Sequence, residues 1–149
     1  MLSTEQNQCV TQTARHTPAG ELLRRYWQPV ALVDELARGR PAVPVELFSE
    51  QLVLFRDENG EYGLVGRQCP HRGADLKFGR LEDGGIRCPF HGWLFNKNGK
   101  CLEQPAEPEN SNFHTKINHA AYPCVERSGI VFAYLGAGDP PPLPAYDCF

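Results

Sequence analysis

Cys69-Pro70-His71-Arg72-Gly73 and Cys88-Pro89-Phe90-His91-Gly92-Trp93 are the two segments on which the reading of this chain turns. Sixteen residues separate His71 from Cys88, so the pattern is C-x-H-x16-C-x2-H. Each segment supplies one thiol and one imidazole, and each carries the proline and glycine of a tight loop. Two such loops, each after a strand-like run, can close from opposite sides on one compact metal centre.

Outward from these loops the sequence reads as short strands. Val43-Pro44-Val45-Glu46-Leu47-Phe48, Leu52-Val53-Leu54-Phe55-Arg56 and Tyr62-Gly63-Leu64-Val65-Gly66 precede the first loop, with Asp57-Glu58-Asn59-Gly60 as a hairpin turn between the last two. Trp93-Leu94-Phe95 and Lys100-Cys101-Leu102 flank a second turn, Asn96-Lys97-Asn98-Gly99, and a third hairpin spans Tyr122 to Leu135 and turns at Arg127-Ser128-Gly129. Regular turn signals between short strands predict a mainly β fold, a small antiparallel sandwich or barrel. Ahead of it, Thr17 can cap and Pro18 can open a short helix running through Glu21-Leu22-Leu23-Arg24-Arg25-Tyr26. Beyond it, Gly136-Ala137-Gly138-Asp139-Pro140-Pro141-Pro142-Leu143-Pro144 cannot pair as a central strand and favours an extended conformation. The expected division is an N-terminal arm over 1–17, a domain over 18–136, and a proline-rich linker over 137–149 toward a domain that is absent here.

Two thiolates and two imidazoles can make a tetrahedral zinc site. Common zinc spacings, however, put both cysteines on one knuckle and both histidines on another, whereas here each loop supplies one of each. Mixed pairs suit a Rieske [2Fe–2S] centre, in which two cysteines hold one iron and two histidines the other. Neutral imidazoles in place of two thiolates remove negative charge, so adding an electron costs less electrostatic work. Gly73 and Gly92 backbone N–H groups are expected to point at the sulfides. Trp93 is expected to roof the site, whether or not it is also an ordinary core aromatic.

The motif resembles the Rieske domain of ring-hydroxylating and O-demethylating oxygenases of the phthalate-dioxygenase-like group. Leu22-Leu23-Arg24-Arg25-Tyr26-Trp27-Gln28-Pro29-Val30 is similar to the opening of those subunits, and Ala121-Tyr122-Pro123 through Tyr134-Leu135-Gly136 to their last Rieske hairpins. The resemblance implies a Rieske-type domain with a cluster-binding subdomain. It implies Cys69 and Cys88 as ligands of one iron and His71 and His91 as ligands of the other. It also implies an electron donor, a reductase or ferredoxin, and a C-terminal catalytic domain holding a mononuclear Fe(II), with the parent enzyme a trimer. Respiratory and photosynthetic Rieske proteins carry an extra, disulfide-forming cysteine in each loop; at the matching positions stand Ala74 and Phe90. A single Rieske centre stores one electron and has no open iron site, so this chain is expected to relay electrons rather than to oxygenate. The competing class is a free-standing Rieske ferredoxin. The Tyr26–Pro29 region and the proline-rich exit favour the oxygenase component, because carriers need neither.

His114 and His119 are five apart, like the two histidines of the family's mononuclear site, with Glu107 and Glu109 nearby. Ser111 stands where that family has an acidic residue, so the segment is read as a solvent-facing connection. Arg72 and Glu103-Gln104-Pro105 are expected at the cluster edge, either orienting a partner or as a solvated charge and a turn, and His16 on the surface. Cys9, Cys101, Cys124 and Cys148 have no neighbouring histidine and read as reduced thiols. A net charge of -3 offers no basic footprint for nucleic acid or anionic lipid. No run is apolar enough to span a bilayer and no signal-peptide layout opens the chain, so the expected setting is the cytoplasm.

Overall fold

The computed structural model describes residues 1–37, 42–108 and 110–147; Glu109 and Cys148 lie outside the described residues. Two short helices open the chain, α1 (Thr4–Thr11) and α2 (Pro18–Leu23), followed by strand β1 (Trp27–Leu32) and a third helix, α3 (Val33–Ala37). The remaining strands are β2 (Ala42–Leu47), β3 (Glu50–Arg56), β4 (Tyr62–Gly66), β5 (Arg80–Glu82), β6 (Gly85–Arg87), β7 (Leu94–Asn96), β8 (Cys101–Glu103), β9 (Ala121–Tyr122), β10 (Cys124–Arg127) and β11 (Ile130–Tyr134). They form three antiparallel sheets, ordered β1-β11-β10, β2-β3-β4-β9 and β5-β6-β7-β8. The mainly β expectation holds, as open sheets rather than a closed barrel.

Strand alternation stacks these sheets. Along β3, Leu52 and Leu54 join one buried cluster with Leu64, Tyr122, Val131, Ala133 and Leu135, whereas Val53 and Phe55 join another with Val65, Leu76, Ile86, Trp93 and Phe95. The β2-β3-β4-β9 sheet is therefore covered on both faces, which is why β3 reads as a continuous apolar run rather than an alternating one. Its first face packs on the β10–β11 layer. Its second face packs on the β5–β8 layer, and Cys69 and Cys88 belong to that second core.

Side-chain caps close two of the three foreseen turns in the same way. Asp57 Oδ1 accepts from the N–H groups of Asn59 and Glu61 at 2.9 and 2.8 Å, and Asn96 Oδ1 from those of Asn98 and Lys100 at 3.0 Å each. Thr17 caps α2 as expected, but the helix ends at Leu23 rather than reaching Tyr26, because the chain must extend into β1 to pair with β11. The first hairpin also differs from the sequence reading. Phe48 is not a strand residue but, with Ser49, forms its two-residue turn at φ 50° and 65°.

Candidate metal centre

β4 runs out into the first loop and β6 into the second, and the two loops are closed by the same hydrogen bonds. In the first, the Cys69 N–H donates to Ala74 O at 2.8 Å and the Gly73 N–H to Cys69 O at 2.8 Å. In the second, the Cys88 N–H donates to Trp93 O at 2.8 Å and the Gly92 N–H to Cys88 O at 3.1 Å. Both glycines sit in the left-handed region, φ 70° and 74°, where a Cβ is penalised. The loops are thus near-copies in which histidine is the third residue of one and the fourth of the other. The expectation that the Gly73 and Gly92 N–H groups face sulfide is corrected: both are committed to the preceding cysteine carbonyls. The backbone N–H groups of His71 and Arg72 are the ones near Cys69 Sγ.

The four candidate ligands come together as two pairs. Cys69 and Cys88 are buried at 2% and 3% exposure with their thiols facing each other, and the His71 and His91 rings lie 4.6 Å apart nearer the surface. Among the described residues no three His, Cys, Asp or Glu side chains converge on one ion position. Paired sulfurs below paired imidazoles match the donor set of a two-iron cluster whose irons each take two protein ligands. Burial pushes the Cys69 thiol up to about 11, and the facing Cys88 adds to this against the pull of the His71 and Arg72 N–H groups. Metal binding here must therefore release thiol protons. Partial desolvation lowers His71, and the adjacent His91 and Arg72 reinforce this, which favours the neutral imidazole that a metal requires.

Trp93 lies against the site from the core side rather than roofing it: its indole, 7% exposed, stacks on the exposed His71 at 4.5 Å with the planes 4° apart. Phe90, 63% exposed, lies against His91 with ring centroids 3.8 Å apart, so the position that carries cysteine in disulfide-bearing Rieske proteins here carries an aromatic cover. Phe113 meets Trp93 edge-on at 6.2 Å.

The segment read as a solvent-facing connection is only partly so. His119 turns inward, packs on Phe95 at 5.3 Å and donates its Nε2–H to Gly66 O, 2.7 Å away; burial lowers its pKa. It thus serves the β4 end of the core, while His114 sits on a 3-10 turn, Phe113–Lys116. Glu107 is exposed and near enough to raise His71 slightly against the other influences. Arg72 is exposed, and the Glu103-Gln104-Pro105 segment is more than a turn: Glu103 pairs with Arg87, Gln104 is buried, and Pro105 packs on Gly92. Sequence reasoning passed over Arg87, a buried arginine beside Cys88. Its only sequence signal was an arginine at a strand end otherwise composed of core residues.

A family model described as Rieske [2Fe-2S] domain matches residues 26–123. The chain is 50% identical over 135 residues to the phenoxybenzoate dioxygenase subunit alpha of Ectopseudomonas oleovorans, covering 90% of this chain and 32% of that protein. It is 45% identical over 139 residues to the oxygenase subunit of a tert-butanol monooxygenase / tert-amyl alcohol desaturase of Aquincola tertiaricarbonis, covering 93% and 29%. Among solved structures it is similar to NdmA of Pseudomonas putida CBB5 with caffeine, at a TM-score of 0.71 and 35% identity over 78% of this chain and 35% of that one. The chain thus spans about a third of the length of these relatives.

Proposed function

The chain belongs to the Rieske [2Fe–2S] domain family, and from that premise we propose that it is the electron-transfer domain of an aromatic ring-hydroxylating or O-demethylating oxygenase. In this reading Cys69 and Cys88 hold one iron and His71 and His91 the other. A cluster held there would supply one-electron storage between a reductase or ferredoxin and a mononuclear non-haem iron site in a catalytic domain. Residues 18–136 are the Rieske domain and 137–149 the linker toward that catalytic domain. The parent enzyme works as a trimer in the cytoplasm; among the described residues no helix is long and apolar enough to cross a membrane.

The observation that carries the reading is the asymmetry of depth: sulfurs buried in the core, imidazoles at the rim. The protein's own part is to keep the thiol side dry and the imidazole side within reach of a partner. Burial of Cys69 and Cys88 excludes water from the sulfur side, and Trp93 holds His71 in one orientation. The extended match to oxygenase subunits, over 90% of the chain, supports an oxygenase component over a free-standing ferredoxin.

Anaerobic purification or iron–sulfide reconstitution is expected to give a coloured protein with a Rieske-type EPR signal after reduction. Mixed with a reductase, substrate and O₂, it is expected to be reduced but to oxygenate nothing. A colourless, zinc-loaded protein would sink the cluster assignment, and substrate oxygenation by this chain alone would sink the electron-relay assignment.

A further inference from the structure

Arg87 is 8% exposed and immediately precedes Cys88. By register it lies opposite Leu94, and Leu94 opposite Glu103, so its guanidinium reaches across β7 to β8. Every nitrogen of the fork is used. Nη1 donates to the carbonyl of Gly92 at 2.8 Å, Nη2 to Glu103 at 2.6 Å and to Asp83 at 3.2 Å, and Nε to Glu82. Glu82 and Asp83 lie at the β5–β6 turn, so one side chain joins that turn, β8 and the outgoing limb of the second loop. Gly92 is the residue after His91, and its own N–H is bound to Cys88 O. The fixed planar geometry of a guanidinium can satisfy these separate acceptors together, which a lysine ammonium at the end of a flexible stem cannot.

We infer that Arg87 is a positioning residue for the cluster: it clamps the Gly92 carbonyl and so fixes His91 relative to Cys88, while its charge offsets Glu82, Asp83 and Glu103 beside the loop. This rests on the reading of Cys88 and His91 as ligands. The mechanical and electrostatic parts have different signatures. Loss of the clamp loosens the loop and lets the cluster escape faster. Loss of the positive charge takes a cation away from Glu82, Asp83 and Glu103, of which Glu82 keeps Arg80, and negative charge opposes the addition of an electron, so the midpoint potential falls. Loss of Glu103 does the opposite.

The test uses the full chain, anaerobically reconstituted, as wild type and as Arg87→Gln, Arg87→Lys and Glu103→Gln. Arg87→Gln is expected to lose cluster to a chelator about tenfold faster or more, with altered EPR g-values and a lowered potential. Arg87→Lys is expected to restore the potential toward wild type while still losing cluster faster, and Glu103→Gln to raise the potential. A buried salt bridge of purely structural value would lower thermal stability without moving the potential in opposite directions. If wild type gives the Rieske signal and the variants share its potential, g-values and chelator lifetime, the clamp is overturned and the ligand reading stands. If wild type gives no such signal, the ligand reading falls and the clamp with it. Should Arg87→Gln fail to fold by circular dichroism, Glu103→Gln decides alone, because its side chain is half exposed: an unchanged or lowered potential overturns the proposal.

Discussion

Trp93 shows how much of this site is held by single side chains. It is 7% exposed, stacks on His71, and meets Phe95 at 6.4 Å on its core side. Trp93→Ala is expected to cost about 3–5 kcal/mol of stability, read by urea titration, and to broaden the EPR signal as His71 loses its restraint. A stability change well below that would mean the indole is not a core member. Glu50 plays a comparable part away from the site: it pairs with Arg24 at 2.5 Å and Arg15 at 2.7 Å and accepts from the Tyr122 hydroxyl. Burial alone would raise its pKa, but the hydrogen bonds from Arg15 and Tyr122 and the Arg24 charge outweigh burial and lower it. With the folded value below the unfolded one, its stabilisation is complete above the ordinary carboxylate range and is lost as pH falls through the folded value. Glu50→Gln strips the buried Arg24 of its carboxylate, so at pH 7 it is expected to destabilise by about 3 kcal/mol. Urea titrations of the two proteins from pH 7 down to 3 are expected to converge at the acid end; a constant gap would count against this account. The four candidate ligands stood out in the sequence because each cysteine has a histidine two or three residues on. Glu50, Arg15 and Tyr122 could not, since their contacts join residues 35 and 72 positions apart.

At the scale of elements, what the sequence disclosed was what the chain decides locally. The turns at Asp57–Gly60 and Asn96–Gly99 were legible because an Asp or Asn side chain caps its own loop. Asp83-Gly84 carried an equally good two-residue signal for β5–β6, and Ser3 with Gln6 forms the capping box of α1; both were readable and passed over. Other elements depend on distant partners. β1 contains Pro29 and a register shift, and pairs with β11 about a hundred residues away. The Phe48-Ser49 turn has no glycine and is held from outside, by Arg24 Nη2 donating to Phe48 O at 3.2 Å. The two cluster loops allow a direct comparison of local and tertiary control. A Cβ on Gly73 would enter open space, whereas one on Gly92 would meet Pro105 Cγ at 3.1 Å. Gly73→Ala is expected to cost only its left-handed backbone penalty, about 1–2 kcal/mol. Gly92→Ala is expected to cost more and to displace the Glu103–Pro105 segment, which thermal unfolding and amide exchange over residues 101–106 would register. Equal effects at the two glycines would contradict the loop geometry described above.

For the molecule as a whole, the two cores on opposite faces of the β2-β3-β4-β9 sheet separate the metal-dependent part of the stability from the rest. Cys69 and Cys88 belong to the core shared with Leu76, Ile86, Trp93 and Phe95, while Val131, Ala133 and Leu135 belong to the other. A ligand that binds only the native state stabilises that state, and a structural metal group couples to the folding of the segments that hold it. Without the cluster the loops are closed by the four backbone bonds at their bases, by the Arg67–Asp75 pair and the Gln68–Asp75 bridge across the first, and by Arg87 on the second. The β10–β11 hairpin closes on a two-residue turn and packs on Leu52, Leu54 and Leu64, with no candidate ligand in that core. Removal of the cluster by an iron chelator under reducing conditions is therefore expected to lower the melting temperature and to speed amide exchange over residues 67–105, leaving residues 124–134 near their loaded rates. Mass-resolved exchange on loaded and stripped protein distinguishes this from a domain that melts as one unit, where both segments would gain exchange together.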